Sequence, residues 1–335
     1  MMRRYLPTVL ENSAGEVIVA DNASTDGSVK MLLEDFPQVP VVVLEQNFGF
    51  AEGYNRALAQ LPDYEYYLLL NSDVEIRQKE WDAPMIKYMD EHPECAACQP
   101  KLLALKEKNA QRVGWFEYAG AAGGFLDKYG YPFCRGRVMS MVEKDEGQYD
   151  EVVPLLWGTG AALMVRASDW HESGGLDGRF FAHMEEIDLC WRLRTKGKSI
   201  VCIPGSTAYH LGGATLNQGN PRKTFLNFRN NLLMLYKNLP DRELKPVMRV
   251  RRILDYLAAF QFLLKGDRGN FVAVFKARRE FARIRPDFEA DRRRIQQARI
   301  LLRVPQRTDF SLLWRYYVRR QKTFAALMSA RAALG

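Results

Sequence analysis

Asp73 is the residue of this 335-residue chain whose position most directly suggests chemistry. It closely follows the apolar run Tyr66–Leu70, and a continuous apolar run predicts a buried strand of a parallel sheet. Open α/β sheets bind their ligands beyond the carboxyl ends of such strands. A carboxylate at this position can therefore bind a metal ion or a polar ligand, although a turn or a helix cap is the commoner role for one such residue taken alone.

Two earlier predicted strands, residues 16–20 and residues 41–44, also end in polar residues. Glycines in the turn after the second strand would let the backbone approach a ligand closely. The start of the helix that follows would offer free N–H groups to a phosphate. Three successive strand ends with polar side chains predict a nucleotide-binding face. Its candidate binding residues are Asp21, Asn22, Asn47, Gly49, Gly53, Asn55 and Asn71.

The segments VIVADNASTDGS, NFGFAEGYNRAL and YLLLNSDVE, in this order, resemble glycosyltransferase family 2, which has the GT-A fold. WGTGAALMVR resembles the family's acceptor-side strand, and FFAHMEEIDLCWR resembles the start of its catalytic helix. Within the family, the chain looks most like the rhamnosyltransferase-type enzymes of surface polysaccharide assembly. The resemblance implies an α/β fold of the GT-A type, with a nucleotide-sugar-binding mixed sheet flanked by helices. The acceptor-side residues that it implies are Trp157, Gly158, Thr159 and Gly160.

The implied reaction moves a sugar from a nucleoside-diphosphate donor to a glycan or lipid-linked acceptor. A divalent cation, Mg²⁺ or Mn²⁺, would stabilise the leaving diphosphate, and one or two carboxylates plus phosphate oxygens can bind it. The family's Asp-x-Asp motif corresponds to Asn71-Ser72-Asp73, so an amide replaces the first carboxylate. The resemblance makes Asp73 the first metal ligand and His210 the candidate second. His92 and His171 are expected to have no catalytic role.

Glu185, Glu186 and Asp188 lie together at the start of a predicted helix. Favourable interaction with the helix dipole would account for such a cluster. The acceptor hydroxyl, however, needs a general base, and the family's Glu-Asp-x-Asp pattern places that base on Glu186, one methylene longer than the family's aspartate. We expect Glu186 to be the base in a single, inverting displacement. Glu185 and Asp188 are expected to bind substrate or to be structural.

The net charge of +8 is unevenly distributed along the chain. Residues 241–335 contain 23 Lys and Arg against 9 Asp and Glu, a net +14, whereas residues 1–240 have 25 against 31, a net −6. This contrast predicts a catalytic domain over 1–240 and a basic helical extension over 241–335, with helices at 249–264, 271–284 and 310–334. A basic amphipathic extension is typical of binding to an anionic membrane surface. Packing of its apolar side on the catalytic domain is the alternative.

The chain's five cysteines bear on its cellular compartment, and its N-terminal residues bear on its ability to bind nucleotide. An odd cysteine count favours a reducing compartment, so we expect a cytoplasmic protein, peripheral at the cytoplasmic face of a membrane. Residues 1–12 are predicted to be a helix that family members place after a first strand. We therefore expect the first sheet strand to be missing from this chain, and nucleotide to bind poorly as a result.

Three other classes of protein would account for parts of this sequence pattern. A catalytically inactive, glycosyltransferase-like binding module is the main alternative, because of the N-terminus, Asn71 and Glu186. A nucleotidyltransferase would share the fold and the metal, but it should carry a basic glycine-rich loop near its first strand. A Rossmann dehydrogenase is not expected, because no G-x-G-x-x-G follows a predicted strand. Nucleic acid is not an expected partner either, because no reading motif accompanies the basic extension.

Overall fold

A five-stranded mixed sheet supports the part of the chain that carries the predicted site. The structure, a computed structural model, describes residues 1–105, 114–212 and 219–332. The strands are β1 (Val19–Asp21), β2 (Val41–Val43), β3 (Tyr66–Leu70), β4 (Val74–Glu75), β5 (Cys95–Ala104), β6 (Gly124–Leu126), β7 (Pro132–Cys134), β8 (Arg137–Val138), β9 (Met141–Val142), β10 (Ala162–Arg166) and β11 (Ser199–His210). The helices are α1 (Met2–Asn12), α2 (Ser28–Asp35), α3 (Gly49–Leu58), α4 (Ala83–Glu91), α5 (Ala167–Ser173), α6 (Glu185–Thr195), α7 (Pro221–Asn238), α8 (Asp241–Leu264), α9 (Arg268–Ile284), α10 (Glu289–Gln297) and α11 (Phe324–Ala332).

The main sheet has the strand order β3-β10-β5-β11-β4, in which β5 and β11 are parallel and the other pairs are antiparallel. All residues of β5 except the last are buried, because apolar clusters cover both of its faces. The prediction that Tyr66–Leu70 is a buried strand of a parallel sheet is wrong in one respect. This strand is antiparallel to β10 and lies at the edge of the sheet, where its residues alternate between buried and half-buried.

β1 and β2 form a separate parallel pair. Within the described residues, β1 has no pairing strand on its other edge, and neither does β3. Helix α1, which sequence analysis predicted over 1–12, packs Val9 into the same apolar cluster as Val74 and Ile76. Its Thr8 hydroxyl accepts a hydrogen bond from the Ile76 N–H at 3.1 Å. The expected absence of a first strand stays a prediction.

A second, antiparallel sheet, β6-β7-β8-β9, lies where the C-terminal segment returns to the first part of the chain. The rings of Phe310 and Phe324 pack against Phe133, with centroids 5.8 and 6.0 Å away. The buried Asp127 carboxylate accepts a hydrogen bond from the Leu312 N–H at 2.8 Å, and burial raises the pKa of Asp127 to about 6. The extension is therefore docked on the rest of the protein along this side.

The helices of the extension differ in part from prediction. Helices α8 and α9 are present, but each begins several residues earlier than expected. The prediction of a single helix over 310–334 is wrong. A π-helical turn, Trp314–Val318, is separated from α11 by Arg320, whose φ of +57° is incompatible with a continuous helix. No helix in the described ranges is long and apolar enough to cross a membrane. The five cysteines all lie in described ranges and are free and buried.

Candidate functional site

A cavity of about 2180 Å³ receives the carboxyl ends of β1 and β3, the end of β11 and the start of α6. Most of the residues predicted from the sequence line it. Those residues are Asp21, Asn22, Asn47, Gly49, Asn71, Asp73, Trp157, Thr159, Gly160, Glu185, Glu186 and His210. Four predicted residues lie outside the lining, namely Gly53, Asn55, Gly158 and Asp188. The fold thus brings candidates from six separate segments of the chain to one concave surface.

The predicted metal ligands are direct neighbours in the cavity. Pairing of β11 with β4 puts His210 opposite Val74, so its ring reaches Asp73, with Nε2 3.1 Å from Oδ1. The Asn71 side-chain amide lies 3.3 Å from the same ring nitrogen. On the other side of the ring, Nδ1 lies 3.4 Å from the carboxylate of Glu117. A late strand and an early loop therefore assemble one compact acidic cluster around a histidine.

The electrostatics of this cluster favour a protonated histidine when no metal is bound. Burial opposes the imidazolium, but hydrogen bonding to Asp73 and Glu117 outweighs it and raises the pKa of His210 to about 9. Burial likewise opposes ionisation of Asp73, yet the hydrogen bond and charge of His210 lower its pKa. A divalent cation requires the neutral imidazole as a ligand, so metal binding here would displace the proton that now joins the two side chains.

The donor set fits a divalent cation only with help from a substrate. Across the described ranges, no group of three or more His, Cys, Asp and Glu side chains is arranged to hold a metal ion. Asp73 and His210 provide one oxygen and one nitrogen ligand within contact of each other. Mg²⁺ is commonly held by one or two protein carboxylates together with substrate phosphates. The pair fits that mode of binding, in which diphosphate oxygens complete the coordination.

The turn into α3 is held by Asn22. Its Oδ1 accepts a hydrogen bond from the Phe48 N–H at 3.0 Å, and its Nδ2 donates to the Gly49 carbonyl at 2.8 Å. Asn47 accepts a hydrogen bond from the Gly49 N–H at 2.9 Å. Asp21, at the end of β1, is buried and accepts a hydrogen bond from the Ser24 N–H at 2.9 Å. These side chains fix the rim of the cavity beside the β1–β2 pair.

The expectation that the start of α3 offers free N–H groups to phosphate is wrong. The Phe181 carbonyl accepts hydrogen bonds from the N–H groups of Phe50 and Ala51, at 2.7 and 3.3 Å. Gly49 has a φ of +77°, and a Cβ added to it would lie 2.5 Å from the Phe181 ring. The glycine is therefore required by the close approach of Phe181, and the helix N-terminus is already satisfied by the protein.

Gly53 and Asn55 have packing roles. A Cβ added to Gly53 would lie 3.0 Å from Nδ2 of Asn22, so the glycine lets α3 pack against that side chain. The Asn55 side chain donates to the Leu176 carbonyl at 2.7 Å and accepts from the Leu176 N–H at 3.0 Å. This two-sided bond fixes the turn that leads towards α6. Both residues act outside the cavity.

The loop that precedes α6 is strained and is held from α7. Phe181, His183 and Met184 have φ values of +68°, +73° and +74°, in a region that residues other than glycine seldom adopt. The amide nitrogen of Asn230 lies 2.8 to 2.9 Å from the carbonyls of Phe180, Ala182 and His183, to which it donates. This one buried side chain thus fixes the path of the strained loop.

Glu185 and Glu186 face the cavity with unsatisfied oxygens. In the described part of the chain, Oε2 of each glutamate is buried and has no hydrogen-bond partner. Burial raises the pKa of Glu186 to about 7. Burial and the neighbouring Glu186 charge raise the pKa of Glu185 well above its ordinary value. A carboxylate with a pKa near neutrality suits proton transfer, so Glu186 is the better candidate base of the two.

Asp188 is fully buried and holds α6 against α7. Its carboxylate lies 2.9 Å from Arg192 Nε, 2.6 Å from Lys237 Nζ and 2.7 Å from Asn238 Nδ2. Because every one of these partners is a donor and the residue lies outside the cavity lining, Asp188 has the contacts of a structural carboxylate. Of the three clustered acids, it is the one for which the structure supports the structural role.

The predicted acceptor-side residues form the wall next to Glu186. A Cβ added to Gly160 would lie 3.8 Å from the Glu186 Cβ, which places this turn directly beside the candidate base. The Thr159 N–H donates to Gln99 at 2.9 Å, and the Trp157 indole N–H donates to the Phe125 carbonyl at 3.1 Å. Gly158 faces the core instead, where an added Cβ would lie 2.6 Å from Leu163.

Sequence reasoning missed several residues of the site. Glu117 carries no sequence signal, because it lies on a loop far from any recognised motif. His183 lines the cavity and burial lowers its pKa to about 4, so it is neutral at pH 7. Asn230 could have been found, since it and Asn231 place two adjacent amides on the apolar face of α7. Lys223, near the start of the same helix, also lines the cavity.

Comparison with known proteins agrees with this geometry. The glycosyl transferase family 2 model matches residues 2–144. Over 204 residues the chain is 26% identical to N-acetylglucosaminyl-diphospho-decaprenol L-rhamnosyltransferase of Mycobacterium tuberculosis, covering 58% of this chain and 66% of that protein. Over 169 residues it is 27% identical to rhamnosyltransferase WbbL of Escherichia coli K12, covering 49% of this chain and 61% of that one. The chain thus spans just under two thirds of the length of these curated relatives.

Among solved structures, GalNAc-T7 with UDP, GalNAc and Mn²⁺ is similar to this chain, with a TM-score of 0.56 and 15% identity. The match covers 72% of this chain and 46% of that one. At this level of identity the likeness concerns the fold. The prediction of a GT-A-type mixed sheet flanked by helices is confirmed.

Proposed function

We propose that this chain, whose residues 2–144 match the glycosyl transferase family 2 model, transfers a sugar from a nucleoside-diphosphate sugar to a glycan or lipid-linked acceptor in cell-surface polysaccharide synthesis. The observation that carries the proposal is that one cavity contains both the Asp73–His210 pair and Glu186, whose buried Oε2 has no hydrogen-bond partner among the described residues. Two of the similar proteins are named rhamnosyltransferases. A deoxyhexose is therefore the first donor sugar to test.

Glu186 would act as the general base. It would take the proton from the acceptor hydroxyl as that oxygen forms a bond to the anomeric carbon and the bond from this carbon to the diphosphate oxygen breaks. Attack from the side opposite the diphosphate inverts the configuration at this carbon. Glu185, whose pKa is raised further by burial and by Glu186, would remain protonated and could donate a hydrogen bond to the acceptor sugar.

Asp73 and His210 would bind Mg²⁺ or Mn²⁺ together with the donor's phosphate oxygens. The bound cation would offset the negative charge that the diphosphate gains as it leaves. Asp21, Asn22 and Asn47, which lie along the rim beside β1 and β2, would contact the nucleoside part of the donor. The acceptor would enter on the side of Trp157, Thr159 and Gly160.

We place this reaction at the cytoplasmic face of a membrane. The five cysteines are free thiols, the state expected in a reducing compartment. The mycobacterial relative is named for an acceptor linked to decaprenol through a diphosphate. An acceptor of that kind is held in a membrane, so the enzyme that uses it must work at the membrane surface.

A panel of nucleoside-diphosphate sugars with Mn²⁺ tests the proposal. We expect one donor to be consumed in the presence of a polyprenyl-diphosphate-linked N-acetylglucosamine acceptor, with the product carrying the inverted anomeric linkage by NMR. Binding of a donor without hydrolysis or transfer would favour the inactive binding module instead. Release of inorganic diphosphate from a nucleoside triphosphate and a sugar phosphate would favour a nucleotidyltransferase.

A further inference from the structure

Helices α8 and α9 present a large apolar surface to solvent, which we call the α8–α9 face. Its members are apolar side chains that are more than a third exposed. They are Ile253, Tyr256, Leu257, Phe260, Leu263, Leu264, Val272 and Phe275. Ile253, Leu257, Phe260 and Leu264 recur at the spacing of one side of a helix, and Leu264 is 85% exposed. Contiguous exposed apolar surface of this kind usually marks an interaction site.

The two helices contribute to one continuous surface. The rings of Tyr256 on α8 and Phe275 on α9 are 5.1 Å apart, and Phe271 and Phe275 are 5.0 Å apart. The guanidinium of Arg278 lies 5.3 Å from the Tyr256 ring centroid. The contacts join the apolar side chains of both helices, so a partner would meet them together.

The exposed charges around the α8–α9 face are predominantly positive. Exposed basic residues border the apolar side chains and belong to both helices and the turn between them. They are Arg249, Arg252, Lys265, Arg268, Lys276 and Arg279. Between residues 249 and 279 there are two acids. Asp255 is fully buried and paired with Arg251 and Arg278, and Asp267 accepts a hydrogen bond from the Asn270 N–H as the cap of α9.

One end of the face abuts the rim of the cavity. At the start of α9, Asn270 donates a hydrogen bond to the Gly219 carbonyl at 2.8 Å. A Cβ added to Gly269 would lie 2.8 Å from Pro221, the first residue of α7. Gly219 lines the cavity, as do Lys223 and other residues of the first turns of α7. The turn between α8 and α9 is therefore adjacent to the opening of the site.

We propose that the α8–α9 face inserts into the headgroup region of an anionic lipid surface, and that this places the cavity opening where a lipid-linked acceptor emerges. Apolar side chains bordered by arginine and lysine are what such a surface binds, since burial and attraction to acidic headgroups act together. A second copy of the chain is a poorer partner, because a two-fold pairing would bring basic borders against each other. The second half of this proposal rests on the proposed function; the lipid binding does not.

Sedimentation of the full chain with vesicles tests the lipid binding. We expect binding to vesicles of equal parts phosphatidylcholine and phosphatidylglycerol, weaker binding as salt rises, and little binding to pure phosphatidylcholine. The double variant Leu257→Gln/Phe260→Gln should bind at least about tenfold more weakly, because it removes two inserted side chains. Leu33→Gln, at an equally exposed leucine on α2, is the matched control and should bind as the wild type does.

Three results would overturn the proposal. They are equal binding to both kinds of vesicle, an unchanged affinity of the Leu257→Gln/Phe260→Gln variant, and a soluble dimer that this variant dissociates. For the acceptor, the variant should lose turnover of a vesicle-embedded, lipid-linked acceptor and keep turnover of a short soluble one. Absence of turnover with both acceptors in the wild type would count against the proposed function, whereas the sedimentation result would still decide the lipid binding.

Discussion

The two ends of the cavity differ in how their polar atoms are satisfied. At the proposed donor end, Asn22 holds the turn into α3 and His210 Nε2 is paired with Asp73, and among the described residues His210 Nδ1 is the buried atom of this pair without a hydrogen bond. At the catalytic end, one carboxyl oxygen of Glu185 and one of Glu186 are buried with no partner in the described residues. A buried polar atom without a partner is costly. A ligand at the proposed donor end must therefore replace existing hydrogen bonds of the protein. At the proposed catalytic end, a ligand can donate hydrogen bonds that the carboxyl oxygens now lack.

The difference follows from the elements that build each end. The donor end is made of turns after short strands, where side-chain amides bond to nearby backbone groups. The catalytic end is the first turn of α6, preceded by a strained loop whose carbonyls are bound by Asn230. Because Asn230 on α7 fixes that loop from outside, the loop keeps its path although one oxygen of Glu185 and one of Glu186 have no partner among the described residues. Changes at the donor end should therefore alter binding, and changes at the catalytic end should alter turnover.

The largest effect is expected from Asp73→Asn. This change removes the charge of the carboxylate whose Oδ1 lies 3.1 Å from His210 Nε2, so metal-dependent donor binding should be lost while the fold is kept. Calorimetric titration with a nucleoside diphosphate, with and without Mn²⁺, measures the loss. Glu75→Gln removes a carboxylate two residues away that pairs with Arg77 and lies outside the cavity lining, so it should bind as the wild type does. Metal-dependent turnover within a few-fold of wild type in Asp73→Asn would refute the assignment.

Glu186→Gln should lower kcat by about 10²–10⁴-fold, the range usual for loss of a general base. Donor affinity should be unchanged, because the side chain contacts the acceptor side of the cavity. Parallel measurement of kcat and of donor affinity separates the two quantities. Glu185→Gln and Asp188→Asn serve as comparisons: if either lowers kcat more than Glu186→Gln does, without unfolding the protein, the wrong carboxylate has been chosen.

The sequence was sufficient for the fold class, and most of the candidate residues that it indicated do line the cavity, because strand ends and family motifs carry local signals. Asp73, Glu186 and Gly160 could each be found from the residues around them. Contacts between distant segments were not predictable in this way. The Phe181 carbonyl that satisfies the start of α3 comes from more than a hundred residues further along the chain. Glu117 likewise reaches His210 only through folding.

The extension shows the same limit. The apolar and basic pattern of 249–264 predicted a helix with a surface-binding side, and the exposed α8–α9 face agrees with that pattern. The helix over 310–334 failed because its residues pack as separate segments on the β6–β9 sheet, with Phe310 and Phe324 both against Phe133. The periodic pattern correctly indicated apolar side chains in this segment. Their packing on the β6–β9 sheet, however, determines a backbone that is not one continuous helix.

Asn230→Ala should lower kcat by about 10- to 100-fold, because loss of the loop's support misplaces Glu186. Donor affinity should change little, which distinguishes a positioning role from a general loss of structure. Asn12→Ala is the matched control: the Asn12 amide also bridges two backbone carbonyls, those of Thr8 and Ile76, but it lies outside the cavity lining. It should destabilise the protein to heat without lowering kcat. Equal effects of the two changes on kcat would contradict the positioning role.

The smallest change is expected from lowering the pH by a single unit below 7. Burial raises the pKa of Glu186 from 4.5 to about 7, and a general base acts when ionised. The value of kcat/KM should therefore rise tenfold per pH unit up to about pH 7 and level off above it. If His210 binds the metal as proposed, saturating metal would keep it from titrating in this range. Because Glu185 and Glu186 interact, the rising part of the pH profile reports the titration of the pair. Glu186→Gln should abolish this rise in kcat/KM, and His183→Asn should leave it unchanged. A limb centred near pH 4.5 would show that the base is a solvated carboxylate, and the distinction between a paired donor end and an unpaired catalytic end would fail at its central residue.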